Sequence, residues 1–600
     1  MYGLIGKILR VNLTKGTVEE EYLSESIVRK YLGGRGLGTR IYMNEVDSKT
    51  DAFDPENKLI LMTGPLTGTL ATSGGRLMWV TKAPLTGTIG CANSGGEFGP
   101  ELKYAGYDGI IFEGKSEAPI YLYVKDGKAE IRSAEGLWGK SVFETTDQLI
   151  EATDPDAKVC CIGQAGENRV LYAGIMNEKN RAAGRGGLGA VMGSKNLKAV
   201  VARGTGSIRV ADPKGFLEAC TDARRKLKEN PVTGAGLGAY GTEILVNIIN
   251  ASGGLPKNNW RDGAVDPEAD AISGETLVEK YLVRNKGCFG CTMACGRVTK
   301  IKDGPYKSAG EGPEYEAAWA LGSSCGIHDL AAVCRVNFLC NEYGMDPITL
   351  GSTFACAMEM FDKGILTKEE MGGNLAFGNA DSIVEFATKT ALREGFGDKL
   401  AEGSYRLAES YGAPELSMSV KKQEMPAYDG RSLQGMGLEY ATSNRGGCHV
   451  RGYLTSPEIL GIPVKLDPLV TEGKAGMLKI FQDLTAVVDS VGICLFTTFG
   501  IGLPEIAAML RTATGWDMTD EEVLAAGDRI WNMEKLYNLS QGFTRGDDTL
   551  PPRLLKEPLP EGPAKGSVCR LEDMLEEYYQ LRGWDAASVP TTEKLAELGL

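Results

Sequence analysis

The pattern of apolar and polar positions divides the chain into two parts. Up to about residue 210, short β-branched and aromatic runs alternate with glycine-containing turns, a pattern typical of strands. The predicted strands are Gly6–Leu13, Lys58–Met62, Leu77–Thr81, Gly109–Phe112, Pro119–Val124 and Lys198–Ala202. The segment Asn12-Leu-Thr-Lys-Gly16 predicts a hairpin turn after the first of them.

From Asp212 onward the apolar residues recur with a period near 3.6, which predicts helices. The predicted helices are Pro213–Glu229, Tyr315–Ser324, Asp329–Tyr343, Leu350–Lys363, Ser382–Glu394, Lys399–Tyr411, Met477–Val491, Glu521–Leu539 and Leu571–Leu581. The expected fold class is therefore α+β and multi-domain. A β-rich domain over residues 1–210 is followed by two mainly helical domains, 211–417 and 418–600.

Charge and cysteine content narrow the functional classes. The 65 basic and 79 acidic side chains give a net charge of −14, which disfavours nucleic-acid binding. No apolar run reaches the ~18 residues of a membrane span, and Lys7 and Arg10 interrupt any signal peptide. We expect a cytoplasmic protein without membrane contact. Its 14 cysteines are then metal ligands, catalytic groups or buried thiols rather than disulfides.

The strongest motif is Cys288-x2-Cys291-x3-Cys295, because three thiols at this spacing can close around one metal centre. The spacing favours an iron–sulfur cluster over a zinc ion or inert cysteines, and the fourth ligand is not local. The chain has only two histidines, His328 and His449, which excludes most histidine-based metal sites. Any imidazole chemistry must use one of these two.

Two matching segments end predicted helices, Asn341-Glu-Tyr-Gly-Met-Asp346 and Asp489-Ser-Val-Gly-Ile-Cys494. A carboxylate at a helix C-terminus faces the negative end of the macrodipole and is unfavourable there. Its repetition indicates that these side chains are needed to accept hydrogen bonds. The alternative is an Asp in a capping turn.

The front part carries most of the glycine clusters. Ala183-Gly-Arg-Gly-Gly-Leu-Gly189 formally matches GxGxxG, but no apolar strand leads directly into it and no acidic residue follows at ribose-binding distance, so a dinucleotide site is rejected. Arginines in or near these clusters, Arg76, Arg181 and Arg185, are candidates for phosphate binding. The alternative for each is a solvated surface charge.

Two loops hold candidate catalytic groups. His449 ends the glycine-containing segment Asn444–His449, and the carboxylate-rich loop Glu311–Glu316 offers a general base. Each is a weak signal alone.

Together these motifs resemble the tungsten-containing aldehyde ferredoxin oxidoreductases over nearly the whole chain. The resemblance rests on the three-cysteine motif and on eight further segments: Gly33–Leu37, Thr63–Gly68, Ala92–Gly96, Ala183–Gly187, Gly312–Glu316, Pro426–Asp429, Asn444–His449 and Asp489–Cys494. It implies oxidation of aldehydes to carboxylic acids with water, and transfer of the electrons through a [4Fe-4S] cluster to ferredoxin.

The resemblance also implies cofactors and their ligands. Tungsten is held by two pyranopterins without a protein side chain on the metal, and Cys494 is the fourth cluster ligand with Cys288, Cys291 and Cys295. Positions near the pterin phosphates and their bridging Mg²⁺ are Arg76, Asn93, Gly95, Arg181, Ala183 and Arg185. The pterin-facing positions are Asn341, Asp346 and Asp489, and the groups beside the tungsten are Glu316, His449, Tyr315 and Tyr428.

By the same resemblance the protein is a homodimer, with companion electron-transfer subunits as a possibility. Two positions depart from the family pattern. Asn341 stands where the family usually has Asp, and Arg335 stands where some members place a glutamate ligand of an interface iron, so we expect no such iron. Three alternatives stay open: a narrow-substrate or acid-reducing relative, an electron-transfer subunit with the cluster alone, and a zinc-stapled binding protein.

Overall fold

The computed structural model describes all 600 residues, and its front part contains two six-stranded sheets. In spatial order the first sheet consists of Thr17–Tyr22, Lys7–Asn12, Gly109–Glu113, Leu59–Thr63, Leu77–Lys82 and Ile89–Ser94. The second consists of Arg181–Ala183, Ile175–Asn177, Lys158–Cys161, Leu197–Arg203, Ile120–Lys125 and Lys128–Ser133. Each sheet has one parallel pair of strands, and the other pairs are antiparallel.

The first sheet is buried on both faces, which explains its continuous apolar runs. Along Leu59–Thr63, Leu59 and Leu61 pack in a core shared with the second sheet. Ile60 and Met62, which alternate with them, pack in a second core with helices of the rear part. The first sheet therefore lies between the second sheet and those helices. All six predicted strands and the hairpin at Asn12–Gly16 are confirmed.

The rear part is mainly helical, so the predicted α+β architecture is confirmed. Its helices are Pro213–Glu229, Leu237–Tyr240, Leu245–Ala251, Gly274–Lys280, Tyr315–Leu321, Leu330–Tyr343, Pro347–Asp362, Lys368–Met371, Ala380–Leu392, Gly397–Leu400, Ser404–Ser410, Gln434–Thr442, Lys474–Val491, Leu503–Thr514, Asp520–Ser540, Pro552–Lys556, Glu572–Arg582 and Thr592–Leu598. Strands Leu282–Lys286, Gly296–Ile301 and Ser308–Glu311 form a small antiparallel sheet, and Ser419–Val420 pairs with Gln423–Glu424. The front part adds helices Glu25–Tyr31, Gly34–Glu45, Phe98–Tyr104, Val142–Ala152, Gln164–Glu167 and Leu188–Ser194.

Two predictions about helices need correction. The single helix predicted over Lys399–Tyr411 is two short helices, because Gly403 between them has a φ of 84°. The helix Gly34–Glu45 begins inside a glycine cluster that predicted no helix. At Gly36 a Cβ atom would collide with the Tyr31 carbonyl oxygen and the Ile530 side chain, so close packing requires glycine there.

No helix is by itself long and apolar enough to cross a membrane. The segments Val232–Tyr240 and Thr242–Ala251 meet the length and composition criteria only as a pair, and they meet at an angle of 94°.

Candidate active site

A cavity of about 390 Å³ lies where loops of the front sheets meet the helical part. Fifteen of the seventeen predicted site residues line it: Arg76, Asn93, Gly95, Arg181, Arg185, Cys288, Cys295, Tyr315, Glu316, Asn341, Asp346, Tyr428, His449, Asp489 and Cys494. Ala183 is buried between two residues that line the cavity, and Cys291 lies outside the lining. The structure thus brings together side chains more than 400 positions apart in sequence.

The four predicted cluster cysteines converge at one end of this cavity. Cys288, Cys291 and Cys295 lie in the loop between strands Leu282–Lys286 and Gly296–Ile301, and Cys494 follows the helix Lys474–Val491. Burial raises the pKa of Cys494, the Arg76 guanidinium lowers it, and the nearby charges of Cys291 and Cys288 raise it further. The Cβ of any other residue at Gly95 would lie 2.9 Å from Cys288 Sγ.

Four cysteine thiols match the donor set of an iron–sulfur cubane, in which each thiolate binds a different iron. No three His, Cys, Asp or Glu side chains lie close enough together to hold a single metal ion.

Asp489 is held by donors from three parts of the chain. Its Oδ1 accepts from Asn93 Nδ2 at 3.0 Å, and its Oδ2 accepts from Arg451 at 2.9 Å and from Arg35 at 3.4 Å. Arg35 also forms a buried two-point pair with Glu534, at 2.6 and 2.7 Å. The carboxylate lies in the last turn of its helix, so these donors offset the unfavourable macrodipole.

Asp346 occupies a different position from the one predicted. It caps the N-terminus of the helix Pro347–Asp362, where a carboxylate is favourable, with Oδ1 accepting from Ile348 N at 3.0 Å. Its Oδ2 accepts from Thr349 Oγ1 at 2.8 Å and from Arg185 Nε at 3.1 Å. The prediction of an acid at a helix C-terminus is therefore right for Asp489, whereas Asp346 follows the alternative, an Asp in a capping turn.

Three arginines on the cavity wall each donate to a carboxylate or a cysteine sulfur. Arg185 pairs with Asp346 and Arg451 pairs with Asp489, as above. Arg445 donates from Nε and Nη2 to Cys448 Sγ, at 3.2 and 3.0 Å. The pKa of this thiol is lowered although burial opposes that, because Arg445, Arg451 and Arg185 surround it.

Four residues of this charge network escaped the sequence analysis: Arg35, Arg445, Arg451 and Glu534. Arg35 and Arg445 lie inside the motifs Gly33–Leu37 and Asn444–His449. Their charge within these motifs could have identified them as candidates. Arg451 and Glu534 lie outside every motif.

Glu316 and His449 lie next to each other in the lining of the cavity. Glu316 Oε2 accepts from Ala427 N at 2.9 Å, while Oε1 lies 3.6 Å from His449 Nε2 and has no hydrogen-bond partner. His449 Nδ1 is also unpartnered. Burial raises the pKa of Glu316 to about 8, and burial together with Arg185 and Arg445 lowers the pKa of His449 well below its usual value.

With these pKa values His449 is a neutral hydrogen-bond donor. Glu316 beside it changes between its protonated and ionised forms near pH 8. His449 stays neutral at physiological pH, so one ring nitrogen carries a proton and the other accepts. Each of the two unpartnered buried atoms can be satisfied by a polar group of a molecule bound in the cavity.

Aromatic side chains complete this end of the cavity. The Tyr315 hydroxyl donates to Ala427 O at 2.7 Å and so helps to fix the residue whose N–H binds Glu316. The Tyr428 ring lies 5.4 Å from that of Tyr315 and 5.9 Å from that of His449. His328, by contrast, pairs with Asp266 at 2.8 Å and does not line the cavity.

The remaining predicted ligands Arg76, Arg181 and Asn341 also line the cavity. Arg76 donates to Asn93 Oδ1 at 3.0 Å and to Cys494 Sγ at 2.9 Å, so it links the cysteine cluster to the cavity. Arg181 pairs with Glu311 at 2.7 Å, and Asn341 Nδ2 donates to Glu311 O at 3.2 Å. Asn341 therefore uses its amide as a donor here.

Comparison with known proteins gives a consistent result. A family model described as the N-terminal domain of aldehyde ferredoxin oxidoreductase matches residues 8–204, and one described as domains 2 and 3 matches residues 218–600. The tungsten-containing aldehyde ferredoxin oxidoreductase of Pyrococcus abyssi is 53% identical over 100% of this chain and 99% of its own. The WOR-like subunit of the aliphatic sulfonate oxidoreductase of Pyrococcus furiosus is 33% identical over 100% and 97%.

A solved structure shares the fold. The active-site complex BamBC of benzoyl coenzyme A reductase with 1,5-dienoyl-CoA superimposes with a TM-score of 0.86 at 28% identity, covering 100% of this chain and 97% of that one. The family matches, the full-length relatives and this fold agree with the geometry of the cavity. The chain belongs to the aldehyde ferredoxin oxidoreductase family.

Proposed function

We propose that the protein oxidises aldehydes to carboxylic acids at a tungsten bis-pyranopterin centre in the 390 Å³ cavity, and that ferredoxin accepts the electrons through a [4Fe-4S] cluster. One observation carries the proposal. Glu316 and His449, 3.6 Å apart and each with an unpartnered buried atom, share one cavity with the cysteine cluster. The full-length relatives are named tungsten-containing aldehyde ferredoxin oxidoreductases, which agrees with this proposal.

The cavity residues suit these groups chemically. Asp346 and Asp489 present carboxylate oxygens that can accept from the amino and ring N–H groups of a pterin. We assign the phosphates and Mg²⁺ to the neighbouring residues Arg76, Asn93, Gly95, Arg181, Ala183 and Arg185. Cys288, Cys291, Cys295 and Cys494 hold the cluster. In this scheme residues 1–210 form the cofactor base, and 211–417 and 418–600 are the two helical domains.

The chain's own groups handle the oxygen and the protons. Oxidation adds the oxygen of water to the aldehyde carbon and releases two electrons and two protons. Neutral His449 donates its N–H to the carbonyl oxygen, which makes the carbon more electrophilic, and ionised Glu316 takes a proton from the attacking water. Tyr315 binds the carbonyl oxygen of Ala427, whose N–H holds Glu316, and so helps to keep Glu316 in place. The bound tungsten centre supplies the redox chemistry by accepting the electron pair.

Metal analysis tests the cofactor assignment. Purification under anaerobic conditions is expected to yield about one tungsten and about four iron atoms per chain, with activity on an aldehyde panel when a viologen accepts the electrons. Iron without tungsten or molybdenum, and without activity, would instead identify an electron-transfer subunit. One zinc per chain would instead identify a binding protein whose fold is stabilised by a structural zinc ion.

The electron exit is proposed to lie at the cluster loop. Gly290 and Thr292 beside Cys291 are exposed, and Ser73 N donates to Gly290 O at 2.9 Å. Leu70, three residues before Ser73, is 57% exposed, which is unusual for a large apolar side chain and suits a partner surface.

A substitution at Leu70 tests this exit. Leu70→Glu is expected to raise KM for ferredoxin about tenfold, because a charge replaces an apolar contact, while leaving turnover with a small viologen unchanged. Leu581→Glu, at a similarly exposed leucine on a terminal helix, serves as the control. Equal KM values for ferredoxin in both variants would place the exit elsewhere.

A further inference from the structure

A second cavity adjoins the candidate active site. It has a volume of about 150 Å³, and nine of its twelve lining residues are hydrophobic. Four residues line both cavities: Thr242, Leu245, Tyr453 and Phe496. These four side chains therefore form the wall between the apolar cavity and the polar one.

Tyr453 has the most unusual position in this wall. Its φ is 59°, a conformation that bulky residues rarely adopt and that persists where surrounding contacts enforce it. On the polar side its ring centroid lies 6.0 Å from that of His449 and 6.1 Å from that of Tyr428, and its hydroxyl lies 3.2 Å from the Tyr428 hydroxyl. On the apolar side the ring lies 5.6 Å from Phe499.

The far side of the apolar cavity is built from irregular helix. Val232–Gly236 and Ser456–Leu460 are both π-helical, and each contributes lining residues. π-Helical turns are rare and occur frequently at functional sites. The second of them begins three residues after Tyr453, so the strained backbone and the cavity wall belong to one stretch of chain.

We propose that Tyr453 determines substrate specificity by limiting how far an apolar aldehyde chain extends from the reacting carbonyl. The inference rests on the proposed aldehyde oxidation. A carbonyl bound beside Glu316 and His449 directs its substituent toward neighbouring apolar surface, and the Tyr453 ring separates it from the apolar cavity. Without the ring, additional methylene groups enter that cavity, each favouring transition-state binding by about fourfold.

The test compares two kinds of substitution at this position. Tyr453→Gly removes the ring and is comfortable at a positive φ, and Tyr453→Asn is a second ring-free variant that tolerates this conformation. Tyr453→Phe retains the ring and loses only the hydroxyl. The measured quantity is the ratio of kcat/KM for octanal to kcat/KM for acetaldehyde, with tungsten content determined for every variant.

We expect the octanal-to-acetaldehyde ratio to rise at least about tenfold in the ring-free variants and to stay within about twofold of wild type in Tyr453→Phe. Calorimetry with octanoate should show tighter binding to the ring-free holoenzymes, independently of turnover. A wild-type enzyme that oxidises both aldehydes, with ring-free variants whose ratio is unchanged, overturns the role of Tyr453 alone. A tungsten-loaded wild type that oxidises neither aldehyde overturns the proposed function itself.

Discussion

Replacing Glu316 by Gln is expected to lower kcat for aldehyde oxidation by about 10²- to 10⁴-fold, the usual contribution of a general base. Gln has nearly the same shape, and its amide can keep the contact with Ala427 N, which lies 2.9 Å from Glu316 Oε2. The loss therefore reports proton removal from water rather than a change in packing. Tungsten and iron contents should match those of wild type.

The pH dependence provides a second readout of the same group. A general base acts when ionised, and burial raises the pKa of Glu316 to about 8. In the wild type kcat should therefore increase as pH rises through about 8 and level off above it. The Gln variant should lose this limb, because it has no titrating group there.

Glu243→Gln is the matched control for this experiment. Glu243 is also a fully buried glutamate without hydrogen-bond partners, but it does not line the cavity. Its substitution should leave both the rate and the pH profile unchanged. A metal-loaded Glu316→Gln enzyme with wild-type turnover would remove Glu316 from the proposed mechanism.

Elements with a clear local signal were predictable from the sequence. The helix Pro213–Glu229 matches its prediction because Asp212 caps it, Pro213 opens it and its apolar residues recur regularly. The helix Gly34–Glu45 was not predictable, since glycines disfavour helix in isolation. Its glycines are explained only by tertiary packing, such as the contact of Gly36 with Tyr31 and Ile530.

In the candidate site, too, features with a local sequence signal were predictable and features that depend on tertiary contacts were not. Motifs and their resemblance to a family identified the residues that line the cavity, including Glu316, His449 and the four cysteines. The hydrogen bonds that orient Asp489 depend on pairing between segments hundreds of residues apart, and such pairing leaves no local pattern. The same holds for Tyr453, because its positive φ is a property of the folded backbone.

Charge balance around the cavity links these observations. The buried guanidinium groups of Arg185 and Arg451 would be strongly unfavourable without partners, and they pair with Asp346 and Asp489. The half-buried Arg445 donates to the Cys448 sulfur. Burial, together with the charges of Arg185 and Arg445, lowers the pKa of His449 and favours the neutral ring, which carries one N–H that can donate to an aldehyde.

Replacing Cys494 by Ser is expected to reduce ferredoxin-linked turnover by at least about 10²-fold, because one cluster iron loses its thiolate. Iron content should fall and the visible absorbance of the cluster should weaken. The substitution also removes the Sγ that accepts from Arg76 Nη2 at 2.9 Å, the contact that joins the cluster to the cofactor cavity.

Cys325→Ser is the matched control. Cys325 is buried outside the cavity, and its thiol donates to Ala320 O at 3.3 Å and to Gly351 O at 3.4 Å, contacts that a serine hydroxyl can replace. This variant should retain iron, tungsten and turnover. Full iron content and wild-type ferredoxin reduction in Cys494→Ser would mean that another residue completes the cluster. Loss of iron together with loss of the ferredoxin-linked rate, in the Cys494 variant alone, would establish that Cys494 holds the cluster and that electrons reach ferredoxin through it.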